Sequence, residues 1–309
     1  MDKFLQRLGI FFFMLFVFFA IALLAPATPR ASTSMLFSKI QKDSLLQNVK
    51  SPRIILIGGS SMSMSIDSQK IKDSLGLNPV NTGVHAAIGL VFMLDHTIKY
   101  VKKGDVIVIA PEYDQFNGNF AYGAQELLRT LFDVKSNDWD IIRWQQVKNM
   151  AEYVPTFAIS KLKPSEYKKS TDDAVYLRNA FNGYGDCSKR LPNHAPNTLI
   201  FQALKEPFNA DMIQELKNFE KKANEKGARV ILTFPAFQEA SYNNSVAMIK
   251  QVENAYRSNG FTVVGNALEY RFPNELMYDT PYHLTTKGIE IRTQMLIKEL
   301  LYEADLKHE

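Results

Sequence analysis

Apolar residues along this chain form one long run at the N-terminus, then a series of short runs separated by amphipathic stretches. Leu8 to Ala25 is uniformly apolar, holds six phenylalanines and follows Lys3 and Arg7. As a helix, about 18 such residues span roughly 27 Å, close to the thickness of a hydrocarbon core. The positive flank on its N-terminal side predicts a cytoplasmic N-terminus and an exported remainder. Ala25-Pro26-Ala27 loosely resembles a signal-peptide cleavage site, but the proline inside it and the length of the run favour an uncleaved anchor. Residues 1–30 are therefore expected to be a single-pass anchor in the cytoplasmic membrane. The rest of the chain is expected in the periplasm or another extracytoplasmic space.

Beyond the anchor, Met35, Leu36, Ile40, Leu45, Leu46 and Val49 mark a linker helix within 31–52. The pattern then changes to short apolar strands at 53–57, 79–81, 105–110, 229–234 and 261–264. Helical periodicity lies between them at 66–75, 87–101, 211–226 and 246–258, and a last helix is expected at 286–301. Five such strands alternating with helices predict an α/β fold: a five-stranded parallel sheet, covered on both faces, over residues 53–309. The interval from about 115 to 206 breaks the alternation and is rich in aromatics, among them Trp139, Trp144, Tyr153, Tyr167, Tyr176 and Tyr184. About 90 residues are too many for a plain loop, so this interval reads as an inserted helical cap over the strand ends. Its aromatics read as packing.

Composition narrows the functional classes. The chain has 309 residues, 46% of them hydrophobic and 22% charged, and a formal charge of +4. Cations and anions are interleaved and no basic block stands out, so nucleic acid is a poor partner. The single cysteine, Cys187, cannot form an internal disulfide, and no histidine or cysteine cluster has metal-ligand spacing. His96, beside Asp95, reads as a surface or capping residue, and His194 as part of a loop.

Two places join a strand end to reactive side chains. Gly58-Gly59-Ser60-Ser61 follows the first strand directly, so a sharp turn presents Ser60 beside oriented backbone N–H groups. The same pattern is also an ordinary strand-to-helix turn with a serine cap. Near the other end, Asp279 and His283 bracket Pro281 just before the last helix. This pair suits a general base with an orienting carboxylate.

Taken with their order along the chain, these residues resemble the SGNH (GDSL-like) hydrolase superfamily. Gly58-Gly59-Ser60 stands where those proteins carry Gly-Asp-Ser. Asn81-Thr82-Gly83-Val84-His85-Ala86 matches the block after their second strand, Pro111-Glu112-Tyr113-Asp114 the block after the third, and His283 the final block. The resemblance covers roughly 53–115 and 207–303. It implies a flavodoxin-like three-layer sandwich in which Ser60 is the nucleophile, His283 the base and Asp279 its orienting acid. The N–H groups of Ser60 and Ala86 would hold the oxyanion, and no cofactor or metal is implied.

Three positions depart from the pattern. Ala86 replaces a glycine, which a backbone donor tolerates. Asp279 precedes its histidine by four residues rather than three. Glu112 stands in place of an asparagine, and an ionised carboxylate cannot donate to an oxyanion. Either Glu112 is protonated in a dry site, or Tyr113 or His85 donates instead, or the site does not carry out ordinary ester hydrolysis.

With its N-terminal anchor, the chain resembles exported members of this superfamily that modify envelope polysaccharides. The implied activity is that of a serine esterase or O-acyltransferase on acyl groups of a cell-envelope glycan or a small ester, with a membrane acyltransferase as partner. The alternative is a non-catalytic binding or scaffold protein of a polysaccharide modification or export assembly.

Overall fold

A computed structural model describes residues 2–168, 173–188 and 202–303. Helix α1 (Asp2–Leu24) is 23 residues long and its apolar window has a mean hydropathy of 2.9, long and apolar enough to cross a membrane. A short helix, α2 (Pro29–Ser32), then leads into α3 (Ser38–Asn48). Far from hanging free, α3 places Leu46 in the core and buries Lys42 almost completely.

The sheet begins with β1 (Arg53–Ile57), every residue of which is buried. It continues through α4 (Ser60–Ser63), α5 (Ser68–Leu75), β2 (Asn78–Asn81), α6 (Leu90–Thr97) and β3 (Val106–Ile109). The interval after β3 holds α7 (Gln125–Phe132), α8 (Trp144–Ala151) and α9 (Val154–Ser160), with several 3-10 turns. The chain then returns through α10 (Asp211–Glu225) to β4 (Arg229–Leu232). It closes with β5 (Phe237–Gln238), α11 (Glu239–Asn243), α12 (Val246–Ser258), β6 (Arg271–Phe272) and α13 (Thr286–Glu303).

β1 to β4 form a parallel sheet in the order β2-β1-β3-β4. Side chains alternate across it, so one face packs on α6, α10 and α12 through Ile55, Ile57, Ile107, Ile109 and Val230. The other face packs on α5 and α13 through Ile54, Leu56, Val106, Val108 and Ile231. β1, β3 and β4 carry Val/Ile/Leu runs because both faces are covered, whereas the edge strand β2 reads Asn-Pro-Val-Asn.

The fifth strand expected at 261–264 is not a strand. Val263 makes one parallel bridge to Leu232, with the Leu232 N–H donating to Thr262 O and the Val264 N–H to Leu232 O. The run is bracketed by Gly260 and Gly265, both at positive φ near 70°. Between these two turns the run forms that one bridge and no ladder. β5 and β6 pair separately, in parallel, over two residues each; so short a pairing has no periodic signature in sequence.

One ionic contact ties the start of β1 to the residue before β3. Arg53, fully buried in β1, donates from Nε to Asp105 Oδ1 at 3.0 Å and from NH2 to Asp105 Oδ2 at 2.5 Å. Its remaining donors reach the carbonyls of Leu46, in α3, and Tyr100. Asp105→Ala strands the buried guanidinium and is expected to lower unfolding stability by about 3–5 kcal/mol. The midpoint of urea unfolding followed by circular dichroism checks this.

Candidate active site

The turn after β1 is shaped by close backbone approach. A Cβ on Gly59 would meet Glu112 Oε1 at 2.4 Å and the Ala86 N and Cα at 2.9 Å. A Cβ on Gly83 would meet the Gly59 carbonyl at 2.5 Å. Residues after β1, β2 and β3 therefore converge on Gly59, and only glycine fits where they meet. Ser60 opens α4 immediately beyond and is 8% exposed. Arg292, buried in α13, supports this turn from behind by donating to the Ser61 carbonyl at 2.9 Å. Asn81, at the end of β2, donates to the Met62 carbonyl and accepts from the Gly83 N–H.

On the opposite wall, the segment before α13 is a closed loop. Met277 and Leu284 bridge in antiparallel fashion, the Tyr278 N–H donates to His283 O, and Thr280 Oγ1 accepts from the His283 N–H. This closure carries Asp279 back to its histidine despite the four-residue spacing. His283 Nδ1 lies 2.9 Å from Asp279 Oδ1, and His283 Nε2 lies 2.9 Å from Ser60 Oγ. Serine, imidazole and carboxylate thus form a continuous hydrogen-bonded relay, the arrangement that activates a serine oxygen.

A fourth group completes the relay from the interval between β3 and β4. The Tyr176 hydroxyl donates to Asp279 Oδ2 and lies 3.2 Å from His283 Nδ1. A reciprocal bond runs the other way, from the Tyr278 hydroxyl to Asp173 Oδ2. Burial, reinforced by the neighbouring carboxylates, raises both phenols above their ordinary value, so both remain donors. For Asp279, burial pulls upward, but the bonds from His283 and Tyr176 prevail and hold the carboxyl below its usual range. Its orienting charge is present at neutral pH and is lost only as pH falls through that lowered value. Tyr176 reads as packing in sequence; nothing in its spacing from His283, 107 residues apart, signals the contact.

Glu112 is 4% exposed, and its Oε1 accepts from the Ser61 N–H at 3.0 Å. Burial, with the Asp114 carboxylate adding to it, pushes this carboxyl above its ordinary value despite the Ser61 bond. Asp114 in turn accepts from the Tyr282 hydroxyl at 2.8 Å. His85 Nδ1 accepts from the Ala87 N–H at 3.1 Å, and burial lowers its pKa. The neutral ring therefore carries its proton on Nε2, as a donor. Tyr113 does not join the site. It packs edge-to-face on Phe237 in the core, and its hydroxyl has no partner among the described residues. Of the three alternative oxyanion donors read from sequence, Glu112 and His85 flank the turn and Tyr113 leaves it.

One other expectation is corrected. His96 is buried, not superficial, and lies between Asp43 Oδ1 at 2.9 Å and Asp138 Oδ1 at 3.0 Å. His194 lies outside the described residues. Among the described residues no group of three or more histidine, cysteine or acidic side chains is placed to hold a metal. A cavity behind the Gly58 turn, lined by Lys39, Lys42, Thr82 and Val84, has a volume near 30 Å³, the size of a water rather than a substrate. No protein-family model and no curated protein matches this chain.

Proposed function

We propose that this chain is a membrane-anchored, exported serine esterase or O-acyltransferase acting on acyl groups of a cell-envelope polysaccharide. The Ser60–His283–Asp279 relay carries the reading. Ser60 Oγ attacks the acyl carbonyl while His283 Nε2 takes its proton. The imidazolium then protonates the leaving alkoxide, leaving an acyl-serine. Water or a second hydroxyl next attacks that ester with the same histidine as base, which separates hydrolysis from transfer. The N–H groups of Ser60 and Ala86 and a neutral Glu112 are the donors proposed for the tetrahedral oxygen.

Export and the glycan substrate are supported by α1 and its positive N-terminal flank, and by the resemblance of the Gly58-Gly59-Ser60, Asn81–Ala86 and His283 blocks to exported envelope-modifying proteins. A membrane acyltransferase partner belongs to the same reading. The strand order and three-layer packing suit a flavodoxin-like sandwich, with residues 261–264 standing where a fifth strand would run.

A non-catalytic binding or scaffold role is the second reading, favoured by one observation: a carboxyl occupies the position of the asparagine donor. Labelling of the full-length chain in detergent with a fluorophosphonate separates the two. Covalent label on the wild type and none on Ser60→Ala supports catalysis; equal or absent label on both supports the scaffold.

Tyr176 is proposed as a positioning residue that holds Asp279. Tyr176→Phe removes a bond to a charged group, worth about 1.5–3 kcal/mol. Turnover of p-nitrophenyl acetate is expected to fall roughly tenfold to a hundredfold in kcat with KM unchanged. The acid limb of its pH profile should move upward as Asp279 loses one of its two partners.

A further inference from the structure

The C-terminal turns of α1 do not stand clear of the domain. Lys3–Phe16 is exposed throughout, whereas Val17–Ala20 and Leu23 are partly covered and Ala22 is 6% exposed. The covering element is α9, which packs directly on α1; Leu23 joins the cluster that holds Phe157 and Val154. The junction is fastened twice. Lys161 Nζ donates to Pro26 O at 2.9 Å and pairs with Asp133 Oδ1 at 2.5 Å, and the Thr28 hydroxyl donates to Glu166 Oε2 at 2.8 Å.

Length then decides where α9 lies. Between Arg7 and the first covered residue, the apolar stretch Leu8–Phe16 is only about 14 Å long. A hydrocarbon core of about 30 Å needs on the order of 20 residues. The remaining turns, Val17–Leu24, must therefore also lie in the bilayer, and the rigid junction carries α9 into it with them. The surface that α9 and its continuation turn outward suits that depth. Ile159, Leu162 and Tyr167 are 53%, 67% and 60% exposed, and Lys163 and Lys168 are exposed beside them. Apolar side chains, an amphipathic tyrosine and flanking lysines are the composition of a segment lying in the outer headgroup region.

We propose that 159–168, the end of α9 and the turn after it, is a second membrane contact, dipping into the outer leaflet beside α1. The partner is a lipid surface, and the depth is that of an interfacial segment, about 5–10 Å. This rests on the membrane-spanning reading of α1. The contact fixes the domain's orientation on the membrane, so the candidate active site meets substrate at a set height rather than on a free tether.

The test uses the full-length chain in vesicles of phosphatidylcholine and phosphatidylglycerol. In a Cys187→Ser background, single cysteines replace Leu162, Ile10 and Ser74, the last exposed on α5, which packs in a different cluster from α9. Each carries an environment-sensitive fluorophore, and quenching is read with lipid spin-labelled either near the headgroup or deep in the acyl chain. Expected is a blue-shifted Leu162 probe that headgroup-level spin label quenches several-fold more than the Ser74 probe, with the Ile10 probe quenched by the deep label. Quenching at Ile10 with a Leu162 probe as accessible as Ser74 overturns the second contact and leaves that face to a protein partner. No quenching at Ile10 overturns the anchor itself, and the proposal with it.

Discussion

Replacing Ser60 or His283 by alanine is expected to reduce turnover of an acyl ester by about 10⁵-fold or more, each to nearly the same floor. The two side chains act as one unit, because Ser60 Oγ is a poor nucleophile until His283 Nε2, 2.9 Å away, takes its proton. Removing either leaves only binding and the oxyanion donors, so the double variant should be little worse than the singles. Asp279→Asn keeps the shape but permits the wrong imidazole tautomer, and is expected to cost about 10⁴-fold. Burst-phase release of p-nitrophenol from p-nitrophenyl acetate measures all four variants. Additive losses would mean that the residues act separately.

The second large effect concerns Glu112. Glu112→Ala removes a proposed oxyanion donor together with the acceptor of the Ser61 N–H, and is expected to lower kcat by about 10²–10³-fold. Glu112→Gln keeps both the shape and a donor and should retain activity within a few-fold. The pH dependence separates the roles. Burial raises the Glu112 carboxyl above its ordinary value, and it donates only while protonated. Wild-type activity should therefore decline as pH rises through that raised value, and Glu112→Gln should lack that decline. Stability carries the same sign. A raised folded pKa favours the fold fully below about pH 4.3, the ordinary glutamate value, and this is lost as pH rises through the folded one. Glu112→Gln should flatten that part of the stability curve; an unchanged activity profile would mean that the carboxyl is not the donor.

Local patterns made the sheet and the site loops legible in the sequence. Runs such as Ile54-Ile55-Leu56-Ile57 announce a strand covered on both faces, and Gly58-Gly59 announces the turn that follows. Ser60 and His283, 223 residues apart, are paired through the resemblance of their blocks and of the order of those blocks to the SGNH pattern, not through any local signal that joins them. What stayed hidden depends on contacts between distant segments. Tyr176 looks like any cap aromatic until its hydroxyl is seen on Asp279, and Arg292 like an ordinary helix cation until it meets the Ser61 carbonyl. His96 has apolar and acidic neighbours in sequence, but the partners that bury it, Asp43 and Asp138, come from other segments. The expected fifth strand does not form. Phe261 to Val264 has strand-forming residues between glycine turns at 260 and 265, yet only Val263 pairs, in one bridge to Leu232.

The central claim is that Ser60 carries an acyl group during the reaction. Rapid acid quenching of the full-length chain after mixing with p-nitrophenyl acetate, followed by digestion and mass spectrometry, tests it directly. Expected is an acetyl group on the peptide bearing Ser60 in the wild type and little or none in His283→Ala, where no base takes the Ser60 proton. Acetylation confined to lysines, or equal in Ser60→Ala, would contradict it.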